Sequence, residues 1–377
     1  MKIKNIVVGA WISWCVIAER LASKWQEVLI IDKRNHIWWN CYDYYDENGI
    51  LVHKYWPHIF RTSYDDVYEY VNRFTTIIEY QHCNYSFVDW KFVNFPFNFN
   101  TLYNLFSLEE AKKTEKTLLK YFSYWDQFSI LDLKNKIQGI DWNDKKILEF
   151  LVNYIIDKTN KNYVMKQWWL SIDEVDKSIF DRIPIKLSRD DRAYSNRKYQ
   201  WMPNEWYTKM FENMLSNKNI SILLNTEAKK IINSVEYERL FWTWPIDEYF
   251  DYKYWKLDYK KTLFKFEYYN INSYQDYAVI SYPNDYDYTR ITEMKKLYPN
   301  SVANRIEKTV ICKEYPLIGT ELAYPVEIES NLNILKKYQS ESNKLNNVYF
   351  IWRLANYKYQ DMDLTFKKSL DLINNLN

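Results

Sequence analysis

Lys2-Ile3-Lys4-Asn5-Ile6-Val7-Val8-Gly9-Ala10-Trp11-Ile12-Ser13-Trp14, with Asp32 standing 23 residues beyond Gly9, decides the fold. Lys2 to Val8 reads as a short apolar strand, and a helical pattern runs from about Ser13 to Lys24. Glu27 to Ile31 reads as a second buried strand ending in Asp32. Strand, helix and strand at this spacing form a parallel βαβ unit with a right-handed crossover. The spacing also matches a dinucleotide-binding turn, in which three glycines precede an acid that accepts the ribose hydroxyls. The first glycine makes the tight turn, the second admits the pyrophosphate, and the third lets helix pack on strand. Here only the first is glycine. Trp11 puts an indole where a pyrophosphate belongs, and Trp14 is expected to wedge helix from sheet. Alone, this stretch reads equally as an ordinary βαβ packing turn.

Composition bounds the rest. A chain of 377 residues favours two or three compact units over one. The net charge of +2, from 51 basic and 49 acidic residues, sets up no global field toward nucleic acid or anionic lipid. Cys15, Cys41, Cys83 and Cys312 have no paired CxxC spacing, which points to a reduced, cytoplasmic chain. The chain opens directly on a strand, so no signal peptide is expected, and no apolar run is long enough to span a membrane. His36, His53 and His82 lack the partners of a metal site, and no metal is expected. Glycine is anomalous: 4 residues, against 17 tryptophans. An AT-biased genome, suggested by the Lys, Asn, Ile and Tyr content, explains scarce glycine but would disfavour tryptophan too.

Farther along, Leu102 to about Tyr163 is helical in pattern, with an apolar face at Leu105, Leu108, Leu118, Leu119 and Phe122. Asp157 to Asn162 reads as the exit from these helices. Between Ile183 and Pro325 polar residues alternate with aromatic or β-branched ones, as at Thr262, Phe264, Phe266 and Tyr268, predicting an antiparallel sheet. Glu205–Leu215 then Ile220–Leu224 reads helix then strand and is expected to rejoin the first domain. The end of the chain reads strand, turn, long helix. The expected fold is α/β: a Rossmann-like domain from residues 1–80, 205–239 and 345–377, a helical subdomain from 99–162, and an antiparallel sheet domain from 163–204 and 240–325.

Segments spread over the whole chain resemble the UDP-galactopyranose mutase family. They include Ile31-Asp32-Lys33-Arg34, His53-Lys54-Tyr55-Trp56-Pro57-His58-Ile59-Phe60, Phe92-Val93-Asn94-Phe95-Pro96-Phe97-Asn98, Lys166-Gln167-Trp168, Arg182-Ile183-Pro184, Tyr288-Thr289-Arg290 and Arg353-Leu354-Ala355-Asn356-Tyr357-Lys358-Tyr359-Gln360-Asp361-Met362. Tryptophan stands where that family is expected to have glycine at Trp11, Trp14, Trp38, Trp39, Trp56, Trp169, Trp201, Trp206, Trp244, Trp255 and Trp352.

The resemblance implies an FAD-binding, Rossmann-like domain and a non-redox isomerase. Its reaction interconverts UDP-galactopyranose and UDP-galactofuranose, or the N-acetyl sugars, through a sugar adduct on N5 of reduced flavin. The family's partners are a UDP-sugar and a second copy, as a cytoplasmic homodimer that supplies furanose sugar for polysaccharide. A departing diphosphate is met best by guanidinium forks. By resemblance these are Arg182 and Arg290, with Tyr163, Trp168, Tyr194, Tyr324 and Tyr359 contacting substrate. His58 corresponds to a histidine beside the isoalloxazine, able to act in acid–base chemistry. Gly9, Ser13, Asp32, Arg34, Asn40, His58, Arg353 and Asp361 are the implied FAD contacts, Asp361 also being a candidate helix N-cap. Two other readings stay open. One is an amine-oxidase-like flavin oxidoreductase; the other is an inactive variant whose FAD cradle is blocked by Trp11, Trp14, Trp38 and Trp39.

Overall fold

The structure, a computed structural model, describes residues 2–9, 12–37, 39–168, 184–299, 301–316 and 321–376. They divide into two compact units. The first comprises Met1–Tyr80, Arg197–Lys260 and Leu322–Asn377; the second comprises Gln81–Asn196 and Lys261–Glu321. Among the described residues no helix is long and apolar enough to cross a membrane.

The first unit is built on a parallel sheet. Its strands are β1 (Lys2–Val8), β2 (Val28–Ile31), β3 (Ile220–Leu223), β4 (Glu236–Trp242) and β5 (Val348–Phe350), in spatial order β3-β2-β1-β4-β5. All four pairings are parallel. Strands buried on both faces select continuous apolar runs, and Ile6, Val7, Val8, Ile30 and Ile31 are all sealed from water. Strand order reverses at β1, where such sheets open a crevice beyond the strand ends. Helix α1 (Ile12–Ser23) crosses from β1 to β2, and α2 (Met362–Asn375) packs against α1. Trp14 is fully buried in α1, yet α1 still packs on β1 and β2. The wedge expected from its indole is not seen. Trp11 and Trp38 lie outside the described residues.

The second unit contains a sheet in which Tyr259–Tyr269, Thr309–Pro316, Arg290–Glu293, Val279–Ser281, Asn84–Val88 and Lys91–Phe95 are successive neighbours. Pairing is antiparallel except between Val279–Ser281 and Asn84–Val88, which run parallel. Helices Phe99–Leu105, Leu108–Tyr121, Ile130–Lys136 and Trp142–Ile155 bury Leu102, Leu118, Leu133, Leu148 and Leu151 in a common core. Ser107 starts the second of them through a capping box with Glu110.

The exit read at Asp157 to Asn162 is not one. The chain widens into a π-helical stretch, Ile156–Lys161, and continues as helix through Asn162–Trp168. In this stretch Lys158 O accepts a hydrogen bond from Asn284 Nδ2 at 2.9 Å.

Candidate active site

In the first unit the chain leaves β1 at Gly9, whose N–H donates to Ile31 O at 2.9 Å and whose φ is +101°. A Cβ there would lie 2.1 Å from Thr243 Oγ1, which itself donates to Val8 O at 2.7 Å. Conformation and space both demand glycine at this turn. Asp32, Ser13, Asn40 and Gln360 are among the polar side chains of the unit that are buried with an unpartnered atom. Asp32 at the end of β2 accepts from Arg34 N–H at 2.7 Å through Oδ1, while its Oδ2 has no partner. Burial pushes its carboxyl up to about 6 despite the help of Arg34. Ser13 Oγ, both amide atoms of Asn40 and both of Gln360 are in the same condition. Orphaned buried polar groups cost about 1–3 kcal/mol each, and at Asp32, which ends β2, the unpartnered oxygen is the acceptor a polar ligand would satisfy.

A cavity of about 310 Å³ opens at the ends of β1, β2 and β4, lined by Val8, Ile31, Lys33, Ala228, Trp242 and Trp244. It lies within the size range of small-molecule sites. Lys33 Nζ lies 4.0 Å from the centroid of the Trp244 ring and 3.8 Å from Glu248 Oε1. Gly9, Asp32 and this cavity at the same strand ends suit the adenosine end of a dinucleotide cofactor.

A second cluster in the same unit joins residues far apart in sequence. The Arg353 guanidinium lies 4.7 Å from the Tyr324 ring centroid. Tyr324 lies 5.3 Å from the Tyr359 ring and 5.9 Å from Trp56. Tyr359 donates its hydroxyl to Asp361 Oδ1 at 2.6 Å, while Arg61 and Arg197 approach Asp361 Oδ2 at 3.2 and 3.9 Å. Asp361 occupies the N-cap position of α2 but makes no side-chain cap bond. The N-cap reading therefore holds for position only: the carboxylate is spent on Tyr359 and the two arginines. His58 is half-buried, its ring 6.4 Å from that of His53 and 6.2 Å from that of Tyr207. His53 is wholly buried, and burial alone drives its imidazole down to about 3. Arg34 places its guanidinium 5.7 Å from the Tyr55 ring.

In the second unit Arg290 pairs with Glu314, Nε to Oε2 at 2.8 Å, across directly opposed strands. Burial raises the Glu314 carboxyl, and Arg290 pulls it back. Helix Asn162–Trp168, which carries Tyr163 and Trp168, is tied to the turn before Arg290. Lys166 Nζ donates to Tyr282 O at 2.7 Å, Asn284 O at 3.3 Å and Tyr288 O at 3.4 Å. Burial brings that ammonium down to about 8. Tyr194 faces His82, ring centroids 6.1 Å apart. Arg182 and Trp169 lie outside the described residues.

Sequence reasoning missed Gln360, Lys166, Glu314 and the pair Arg61 and Arg197. Gln360 and Lys166 sit inside segments quoted for the resemblance, which was the available signal. Glu314 has none, because only strand register sets it opposite Arg290.

Comparison with known proteins gives the following. A UDP-galactopyranose mutase family profile matches residues 158–359, and an NAD(P)-binding Rossmann-like domain profile matches residues 7–74. A probable UDP-galactopyranose mutase of Klebsiella pneumoniae is 33% identical over 98% of this chain and 94% of its own length. A dTDP-fucopyranose mutase of Escherichia coli is 31% identical over 98% of this chain and 97% of its own. Among solved structures, that of reduced UDP-galactopyranose mutase superposes with a TM-score of 0.66 at 15% identity, covering 98% of this chain and 94% of that one.

Proposed function

The chain belongs to the UDP-galactopyranose mutase family, and from that premise we propose that it interconverts the pyranose and furanose forms of a UDP-linked galactose, using reduced FAD. One observation carries the proposal beyond ancestry. The buried, unpartnered oxygen of Asp32, beyond a turn where only glycine fits, is the acceptor that a cofactor ribose needs.

Bound and reduced, the flavin supplies the nucleophile for a ring exchange that moves no net electrons. The protein's part is to hold, orient and stabilise charge. Gly9, Ser13, Asp32, Arg34 and Asn40 hold the cofactor, with Arg353 just beyond β5 and Asp361 at the start of α2. His58 tunes its ring system. Arg290 and Arg182 receive the departing diphosphate, and Tyr163, Trp168, Tyr194, Tyr324 and Tyr359 orient the sugar nucleotide. Glu314 pairs with Arg290 through Nε and so helps orient the guanidinium that meets the diphosphate. The same proposal makes the enzyme a cytoplasmic homodimer.

A second reading is favoured by the Escherichia coli relative: a dTDP-linked fucose as substrate. The test is an assay of the FAD-loaded, reduced chain against UDP-galactopyranose, its N-acetyl counterpart and dTDP-fucopyranose. Furanose product is expected from the first and not from the third. Arg290→Ala should lower kcat by about 10²–10³-fold, the loss typical of one charge-stabilising donor. Failure of all three sugars on a chain with bound, reduced FAD refutes the assignment; conversion of dTDP-fucopyranose alone selects the second reading.

A further inference from the structure

Eleven residues other than glycine adopt positive φ among those described, and five of them are tryptophan: Trp25 (60°), Trp90 (64°), Trp125 (84°), Trp255 (94°) and Trp352 (82°). Four of the other six are Asp or Asn, which tolerate this region through their short polar side chains. Bulky tryptophan has no such excuse. At Trp125, Trp255 and Trp352 φ lies beyond the +50 to +70° that L-residues visit at all readily.

Three of these positions belong to backbone motifs that specify glycine by geometry. Trp25 follows the end of α1: its N–H donates to Ala22 O at 3.0 Å, and Gln26 N–H donates to Leu21 O at 3.1 Å. Those two bonds define a Schellman motif with Trp25 at its left-handed position, the place glycine dominates. Asp89 and Trp90 are the two loop residues between strands paired at Val88 and Lys91, both with positive φ. That is a type I′ hairpin, whose favoured sequences are Asn-Gly and Asp-Gly. Trp125 is the third residue of a turn closed by Asp126 N–H to Ser123 O at 3.1 Å; its φ of 84° fits a type II turn, which requires glycine there. Nor does burial recommend the indoles: Trp25, Trp90, Trp125 and Trp255 are 80%, 86%, 62% and 77% exposed. The hydrophobic effect gives little for a ring left in water. What these sites select is backbone freedom, in a chain with 4 glycines and 17 tryptophans.

We propose that the working polypeptide carries glycine in place of Trp25, Trp90, Trp125, Trp255 and Trp352, because the codon at those positions is read as glycine by its own ribosomes. UGA is a codon with both readings: tryptophan in one variant genetic code, glycine in another. UGG specifies tryptophan in either. The inference is independent of the proposed activity.

Two measurements test it. Peptide mass spectrometry of the chain isolated from the cells that encode it should find glycine at the five positions, over UGA codons in the gene. Tryptophan in the peptide, or UGG in the gene, at Trp25, Trp90 or Trp125 overturns the proposal. In recombinant protein, Trp90→Gly and Trp125→Gly should each raise Tm by about 2 °C or more, whereas Trp90→Ala and Trp125→Ala should not. Alanine removes the same indole but keeps the Cβ. Equal effects of the two substitutions would assign any gain to losing an exposed ring and overturn the backbone argument.

Discussion

Asp32 keeps one oxygen on the Arg34 N–H and holds the other out of water without a partner. Its folded-state value of about 6 stands above the unfolded value near 3.9, so folding favours the protonated acid. Between roughly pH 4 and 6 the folded chain therefore binds more protons than the unfolded one, and stability falls as pH rises through that window. His53, driven down to about 3, acts the other way and gains stability as pH rises from about 3 toward 6.5. A whole-protein pH profile mixes the two, so a variant is needed. Asp32→Asn keeps the acceptor for Arg34 and removes the charge. Denaturant unfolding of the flavin-free variant at pH 7 should show a gain on the order of 1–3 kcal/mol that vanishes below about pH 4, together with weaker flavin binding. No gain at pH 7 would show that the buried carboxylate carries no such cost. This residue was legible because an acid at a set distance from a strand-end glycine has one common use. Asn40 and Ser13 came only through resemblance, since a buried amide or hydroxyl announces nothing until its surroundings are known.

At the scale of elements, the Arg290–Glu314 pair exists because Arg290–Glu293 and Thr309–Pro316 are in one particular register. The alternation that marks both as strands says nothing about which residues face each other across them. Arg290 was readable only through the resemblance of Tyr288-Thr289-Arg290, and its counter-ion, set by register alone, was not. Removing Glu314 leaves the Arg290 side chain, 23% exposed, to be solvated again, at about 1 kcal/mol. Glu314→Ala should lose about that much in urea unfolding, and Glu314→Gln less, because it retains an acceptor for Nε. If Glu314→Ala unfolds like the unaltered chain, the pair contributes nothing to stability in solution. The helical pattern was legible but its apolar face only in part: Leu118 is buried and Leu105 and Phe122 pack against the core, whereas Leu108 and Leu119 are exposed, because one helical stripe cannot hold all five residues once the chain turns at Ser107. Helix Asn162–Trp168 escaped because the polar run before it reads as an exit, whereas the chain continues through it as a π-helical stretch with Lys158 O bonded to Asn284.

At the scale of the molecule, the α/β class with its parallel sheet was legible from the first 32 residues, where a strand of buried apolar residues, a helix and a second such strand follow in close order. The cofactor proposal assigns its ligand contacts to the unit made of residues 2–80, 197–260 and 322–376. Hydrogen exchange on the purified chain should then show FAD slowing exchange at β1, β2, β4 and the start of α2, with the strands around Val310 and Ile311 left unchanged. Protection spread evenly over all segments would count against that assignment.

The order of strands in that unit also governs its birth. β1 and β2 are made almost at once, but β3 and β4 are some two hundred residues downstream, and β5 and α2 come later still. A ribosome must thread out about two-thirds of the polypeptide, as far as β4, before the nucleotide crevice has walls on both sides. Until then the nascent β1–α1–β2 piece presents bare strand edges to chaperones and proteases, so loss of α2 alone should strike at the first domain translated.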